Sequence, residues 1–439
     1  MKKKLILIKA LSITAVSVLF SINSQVYATT QQSNVLPVLN GFSTNVFTKV
    51  ASSVSSPDDI TTMNGNIFVG NQNGVGSEGA ASSKGVLNSN IIKYDASGKQ
   101  IFNWSIAGKC DGLKADAANN RLIATVNEDG NSSMYIITPS ATTSNQVKHI
   151  NFKAAAGQTL PAGGTDSIAI QNGKIYISAS APKADSNGNF TTPALFQATI
   201  NADNTATLTS VLMDNSTAND ATPGAASGAT TTLNMSDPDS NNIVPAESPK
   251  YAGQTVLVDQ GDSKLIFSNN IGTTSQVNTV LPVGTQIDDT VWATSTKGTL
   301  YITDTASNTI YSVTGDFKKG TAFVSAPNDS GVAGFVGTVD LTTGVITPVV
   351  TGMDSPHGLL FVPQLPAATP PTVYKNQQGI ATGDGISIRT GAGTQYSWQG
   401  SFALRTKIKI LGTAGSFYKV NYNGITGYVS KQYVKITTK

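Results

Sequence analysis

From Asn40 to Pro363 apolar and polar positions alternate in short runs broken by turn-forming residues, and no stretch keeps the spacing of an amphipathic helix. Alternation with a period of two, bounded by Gly, Asn and Asp, is the pattern of paired strands. One unit recurs: an acidic or small turn, a strand, a tight turn and a second strand. It reads DDITTMNGNIFVG at residues 58–70, DGLKADAANNRLIAT at 111–125 and DSIAIQNGKIYIS at 166–178. It continues as QTVLVDQGDSKLIFS at 254–268 and DTVWATSTKGTLYIT at 289–303, with a half copy, SPHGLLFVP, at 355–363. Asn64-Gly65 and Asn172-Gly173 suit two-residue hairpins, whose central residues both need positive φ.

A repeated strand unit of this kind predicts an all-β chain built as a β-propeller, with about six blades over residues 40–363. VFTKVASSVSSPDDI at 46–60 resembles VITPVVTGMDSPHGL at 345–359, so the chain ends in the phase in which it began. The last strands are therefore expected to complete a shared blade, which leaves no open sheet edge. Residues 201–248, rich in Thr, Ala, Asn and Asp, are expected to form a strand followed by a long surface insertion.

The ends of the chain differ from this body. Lys2, Lys3 and Lys4 precede a mostly apolar run from Leu5 to Phe20, and Val26-Tyr27-Ala28 has the small-residue form of a cleavage site. Residues 1–28 thus predict a secretory signal peptide, too short in its apolar part to span a membrane, and a secreted mature chain without a transmembrane segment. Cys110 is the one cysteine, so no internal disulfide is expected. Residues 364–371 form a Pro-rich linker. Beyond it, residues 372–439 contain short strands around Ile386, Thr406–Leu411, Phe417–Tyr422, Thr426–Ser430 and Val434, with Asn423-Gly424 as a tight turn. Five strands in so short a segment predict a small barrel. The Gly391-Ala392-Gly393 stretch lacks the following helix and further glycine of a phosphate loop, and is expected to let a long loop reverse.

Charge divides the same way. Charged residues make up 13% of the chain, against roughly 25% in average proteins. The tail carries a formal +8 and residues 29–371 a formal −9, which suggests two parts with different partners. An acidic body with an export signal excludes nucleic acid as a partner.

At its repeats, and at GTLYITDTASNTIY (298–311), the body resembles the NHL-repeat and regucalcin-type propellers. The tail resembles the bacterial SH3 (SH3b-type) domain through ISIRTGAGTQY at 386–396 and FYKVNYNGITGYV at 417–429, with Ala392 where Pro is usual and no Gly near Arg405. That resemblance implies binding to peptidoglycan or another cell-wall polymer. Arg389, Tyr396, Trp398, Tyr422 and Tyr428 are the candidate contacts: flat aromatic faces for peptide or sugar, and a guanidinium for carboxylate or phosphate. Core packing of two of these aromatics would explain them equally.

Catalytic material in the body is sparse. His149 and His357 have no metal-ligand spacing, and no Gly-x-Ser-x-Gly elbow occurs. Acidic residues instead open the repeats: Asp58, Asp59, Asp111, Asp166, Asp288 and Asp289. In a propeller such positions gather round one axis, where Asp59, Asp111, Asp166 and Asp289 could hold a divalent cation such as Ca²⁺. Asp as a turn former accounts for the same pattern. Residues 237–241 (DPDSN) space oxygens like a Ca²⁺ loop but lack its Gly and Glu. His357, in Ser-Pro-His-Gly, is placed at the central mouth, as a turn residue or as a site residue. The expected function is a cell-wall-associated protein whose propeller binds an extracellular ligand, without enzymatic activity. The alternative is a metal-dependent esterase or lactonase, which the regucalcin resemblance implies without a residue-by-residue match.

Overall fold

A computed structural model describes residues 35–328, 331–364, 372–394 and 396–437. The predicted signal peptide and nearly all of the Pro-rich linker lie outside them. Among the described residues there is no α-helix, and no helix is long and apolar enough to cross a membrane.

Six strands line a central axis and pack on one another in a closed ring: Pro57–Met63, Cys110–Asp116, Gly164–Gln171, Pro238–Ile243, Thr290–Trp292 and Pro356–Pro363. Each is the innermost strand of an antiparallel blade of four strands, and blades 2 and 3 are joined by parallel pairing of their outer strands. Blade 1 adds Asn66–Asn71, Asn88–Tyr94 and Gln100–Ala107, and its Asn64-Gly65 turn has both φ angles positive, at 54° and 75°. Asn172-Gly173 in blade 3 repeats that geometry at 51° and 78°. The core fills the wedges between neighbouring blades. Phe68, Ile91 and Trp104 of blade 1 meet Leu113, Leu122 and Ala124 of blade 2 in one buried cluster.

Closure takes the shared form expected. The outer strand of blade 6 is Phe42–Lys49, from the start of the body, and its inner strand is Pro356–Pro363, from the end. Between them lie Gly298–Asp304 and Thr309–Gly315. Two expected pairings differ. Residues 289–303 do not form one hairpin: Thr290–Trp292 pairs with Ala322–Ala326 in blade 5, while Gly298–Asp304 pairs within blade 6. Packing explains the split, because Trp292 is buried with Val324 and Val339 whereas Leu300 and Ile302 are buried with Val313, Leu359 and Phe361. Residues 254–268 supply the second and third strands of blade 4, Thr255–Asp259 and Lys264–Asn269. The inner strand of that blade, Pro238–Ile243, lies inside the segment read as an insertion. Only Thr217–Asp220 and Thr230–Thr232 are an added hairpin there, on the outer edge of blade 4.

The tail is an SH3-like barrel of seven strands, from Thr372–Ala381 to Val434–Ile436. Ile386, Ile388, Phe402, Ile408, Ile410, Val420 and Val429 fill its centre. Asn423-Gly424 forms the tight turn, with φ of 48° and 82°. Arg405, near the place where the resemblance leads one to expect Gly, holds φ at 64°.

Candidate functional site

The inner strands share one local irregularity. Pairing with the second strand slips between Pro57 and Ile60, between Cys110 and Leu113, between Thr165 and Ile168, and between Pro238 and Asn241. It slips again between Pro356 and Leu359. Each slip frees two residues from the ladder, as a β-bulge does, and re-aims their side chains. The freed pairs are Asp58-Asp59, Asp111-Gly112, Asp166-Ser167, Asp239-Ser240 and His357-Gly358; Asp288-Asp289 stands just before the inner strand of blade 5. The first member of every pair lines a common cavity of about 290 Å³ on the axis, with Lys109, Glu128 and Asp237 also in its wall.

Second members knit the ring. Asp59 accepts hydrogen bonds from the N–H of Ile60 at Oδ1 (2.7 Å) and from that of Leu113 in blade 2 at Oδ2 (2.6 Å). Asp289 does the same between blades 5 and 6, from Thr290 at Oδ1 (2.6 Å) and Leu359 at Oδ2 (2.8 Å). Gly112 and Gly358 have no room for more than hydrogen: a Cβ at 358 would stand 2.5 Å from the Asp58 carbonyl oxygen.

Around the axis the charged groups fall into three sets. Lys109 Nζ lies 3.1 Å from Asp111 Oδ1 and also pairs with Glu128. His357 Nδ1 lies 2.8 Å from Asp288 and 3.3 Å from Asp58, with its Nε2 3.1 Å from Ser355 Oγ. Asp166 and Asp239 hydrogen-bond each other, which requires a proton on one of them. Burial, then nearby carboxylates, pushes the acids of Asp111, Asp166 and Asp239 well above the usual range. Asp58 rises to about 7 because burial outweighs the attraction of His357. For Lys109, burial opposes the charge, but Asp111, Glu128 and Asp58 outweigh it and raise the ammonium.

Of the residues singled out from sequence, Asp111, Asp166 and His357 meet at the axis; Asp59 and Asp289 line the same cavity but engage both oxygens in backbone bonds. Asp239 was noted only within the Ca²⁺-loop-like stretch 237–241 and not as an axial residue, because the strand around it is polar and reads as loop. The match of Asp239-Ser240 to Asp166-Ser167 is the signal that could have found it. His149 lies elsewhere, stacked on Tyr135 with Nε2 2.8 Å from Ser133 Oγ. Cys110 is fully buried, and burial pushes its thiol well up. Among the described residues no group of three or more His, Cys, Asp or Glu is placed to hold a metal ion.

The tail presents a second surface. Arg389 Nη1 donates to the Tyr396 carbonyl oxygen (2.8 Å), bracing the loop, and the Tyr396 ring lies so close over Gly391 that a Cβ there would be 2.2 Å from it. Close approach of a ring, not phosphate binding, is what this glycine serves. Tyr422 packs edge-on to Phe402, and Tyr428 is buried beside Ala414 and Phe417. Of the five candidate contacts, Trp398, 44% exposed, is the aromatic that faces solvent.

Residues 384–435 match the bacterial SH3 domain family. No curated protein matches the chain. Among solved structures, a functionally unknown protein from Desulfotomaculum acetoxidans is 9% identical, with 74% of this chain and 97% of that one covered and a TM-score of 0.37. The periplasmic gluconolactonase of Pseudomonas aeruginosa is 11% identical over 71% of this chain and 89% of that one, with a TM-score of 0.35. The WD40 β-propeller domain of Doa1 is 9% identical over 91% and 98%, with a TM-score of 0.34. The ring of six blades is a β-propeller, and residues 384–435 that follow it are similar to the bacterial SH3 domain family.

Proposed function

We propose that this is an exported binding protein, held at the bacterial cell wall by its SH3 module, whose propeller receives a cationic ligand at its acidic mouth. The observation that carries the propeller half is the delivery of Asp58, Asp111, Asp166, Asp239 and Asp288 from five successive blades to one cavity. A concave site with several converging acids favours positive charge through Coulomb attraction strengthened by partial burial. A resident divalent metal does not fit the side chains present. Asp59 and Asp289 already engage both carboxylate oxygens in backbone hydrogen bonds, and among the described residues no group of three or more His, Cys, Asp or Glu is placed to hold a metal ion. We therefore assign no metal-dependent ester or lactone hydrolysis to the cavity.

The module's family and its formal +8 charge support attachment to an anionic wall polymer, with Trp398 as the stacking face. Co-sedimentation of the full chain with purified peptidoglycan sacculi tests this half. The intact protein should pellet with sacculi and Trp398→Ala should stay largely in the supernatant; failure of the intact protein to pellet at low salt would refute the wall reading.

A further inference from the structure

Three pairs of acids ring the axis, and two of them are already bridged by a basic side chain of the protein's own. Lys109 occupies the pair Asp111 and Glu128; His357 occupies the pair Asp58 and Asp288. Among the described residues no basic side chain bridges the third pair, Asp166 and Asp239, which hydrogen-bond each other and so need one proton between the two carboxyl groups. Beside it Asp111, 4% exposed, binds Lys109 and Gln72 through Oδ1 and leaves Oδ2 with no hydrogen-bond partner. A buried carboxylate oxygen without a partner is costly, and so invites a donor. Blades 2, 3 and 4 are consecutive, so these acceptors form one arc of the cavity wall.

We infer that this arc is the seat of a primary ammonium group carried by a small organic ligand, which replaces the shared proton. This rests on the cationic reading of the mouth and names its ligand class. An alkylammonium offers three N–H donors, enough for Asp166, Asp239 and the free oxygen of Asp111. Lys109 shows the same chemistry within the protein, an alkylammonium seated between two carboxylates of the same cavity. A volume of about 290 Å³ admits an alkyl chain as well as its ammonium. In the exchange, the proton shared by Asp166 and Asp239 passes to buffer, and N–H···O bonds to both carboxylates take its place. The surrounding acids, Glu128, Asp58, Asp288 and Asp237, keep the local field negative after the exchange.

Isothermal titration of the full chain near neutral pH tests this, using pentylammonium, neutral 1-pentanol and CaCl₂ in two buffers of different ionisation enthalpy. One equivalent of pentylammonium should bind with release of about one proton, read from the difference in heat between buffers, and pentanol should not bind. Asp239→Asn should remove the proton release and weaken binding about tenfold, and Asp166→Asn should do the same; a cooperative melting transition at or above the parent's temperature would show that both variants fold. Stoichiometric Ca²⁺ binding without pentylammonium binding would overturn the ammonium assignment and leave the cationic mouth standing. Absence of binding by either would sink both. Pentylammonium binding with no proton release, or binding indifferent to both substitutions, would place the ammonium elsewhere and refute this seat.

Discussion

The propeller and the barrel handle their polar residues in opposite ways. In the barrel the candidate polar and aromatic contacts are mostly used up by the fold: Arg389 braces a loop, Tyr422 and Tyr428 are packed, and of that set Trp398 keeps a broad exposed face, as Tyr433 does outside it. In the propeller the ring sets aside one position per blade, five acids and a histidine, and holds the acids partly buried and like-charged at a cost to stability. Acids that burial and like neighbours make unfavourable, and that Lys109 and His357 compensate only in part, point to function more strongly than groups that pack well.

That contrast can be broken from either side. The largest effect is expected in the barrel. Tyr428→Ala should destabilise the module by about 3 kcal/mol, seen as early loss of its melting transition, while Trp398→Ala should leave melting unchanged and abolish sedimentation with sacculi. In the propeller, Gly358→Ala should cost about 2 kcal/mol, because the added carbon meets the backbone of blade 1, and thermal denaturation will show it. Asp289→Ala should cost about 1–2 kcal/mol by leaving the Leu359 and Thr290 N–H groups unpaired; a neutral result would mean that Asp289 is no brace. The smallest effect belongs to Arg405→Gly, which should stabilise the barrel by less than about 1 kcal/mol by relieving a left-handed backbone.

The mouth also predicts the sign of the pH dependence. Asp58 and Asp289 have folded pKa values of about 7, raised chiefly by burial from an ordinary 3.8. A raised acid binds its proton more tightly in the folded state, so its stabilising contribution is full below the unfolded value and is lost as pH rises through the folded one. Melting temperature should therefore rise as pH falls from 8 to 5. A flat or inverted profile over that range would show that the acids are not held in this way.

Much of this was legible in the sequence, and the gaps have physical causes. Alternation and the Asn-Gly turns gave the blades, since a half-buried strand must alternate and a two-residue hairpin must accept positive φ. The matching ends gave the closure. What escaped was the inner strand of blade 4, because Asp239, Ser240, Asn241 and Asn242 face a polar axis or knit blades through side-chain bonds, so no apolar period marks them. The crossing between blades 5 and 6 escaped for a different reason. Residues 289–303 satisfy every local rule for a hairpin, and only the separate burial of Trp292 and Leu300 sends their strands to different sheets. At the axis, the sequence marked the acidic pairs but not which member of each is free, because that depends on backbone N–H groups contributed by the next blade.

The most direct test of the account is the melting temperature of Asp239→Asn against the parent chain at pH 8 and pH 5. If Asp239 is an acid kept at the axis for a ligand, at the expense of stability, the variant melts higher than the parent at pH 8 and the gain shrinks toward pH 5. A variant that melts lower than the parent by the same margin at both pH values would show that the carboxylate is a structural brace, and would contradict the account.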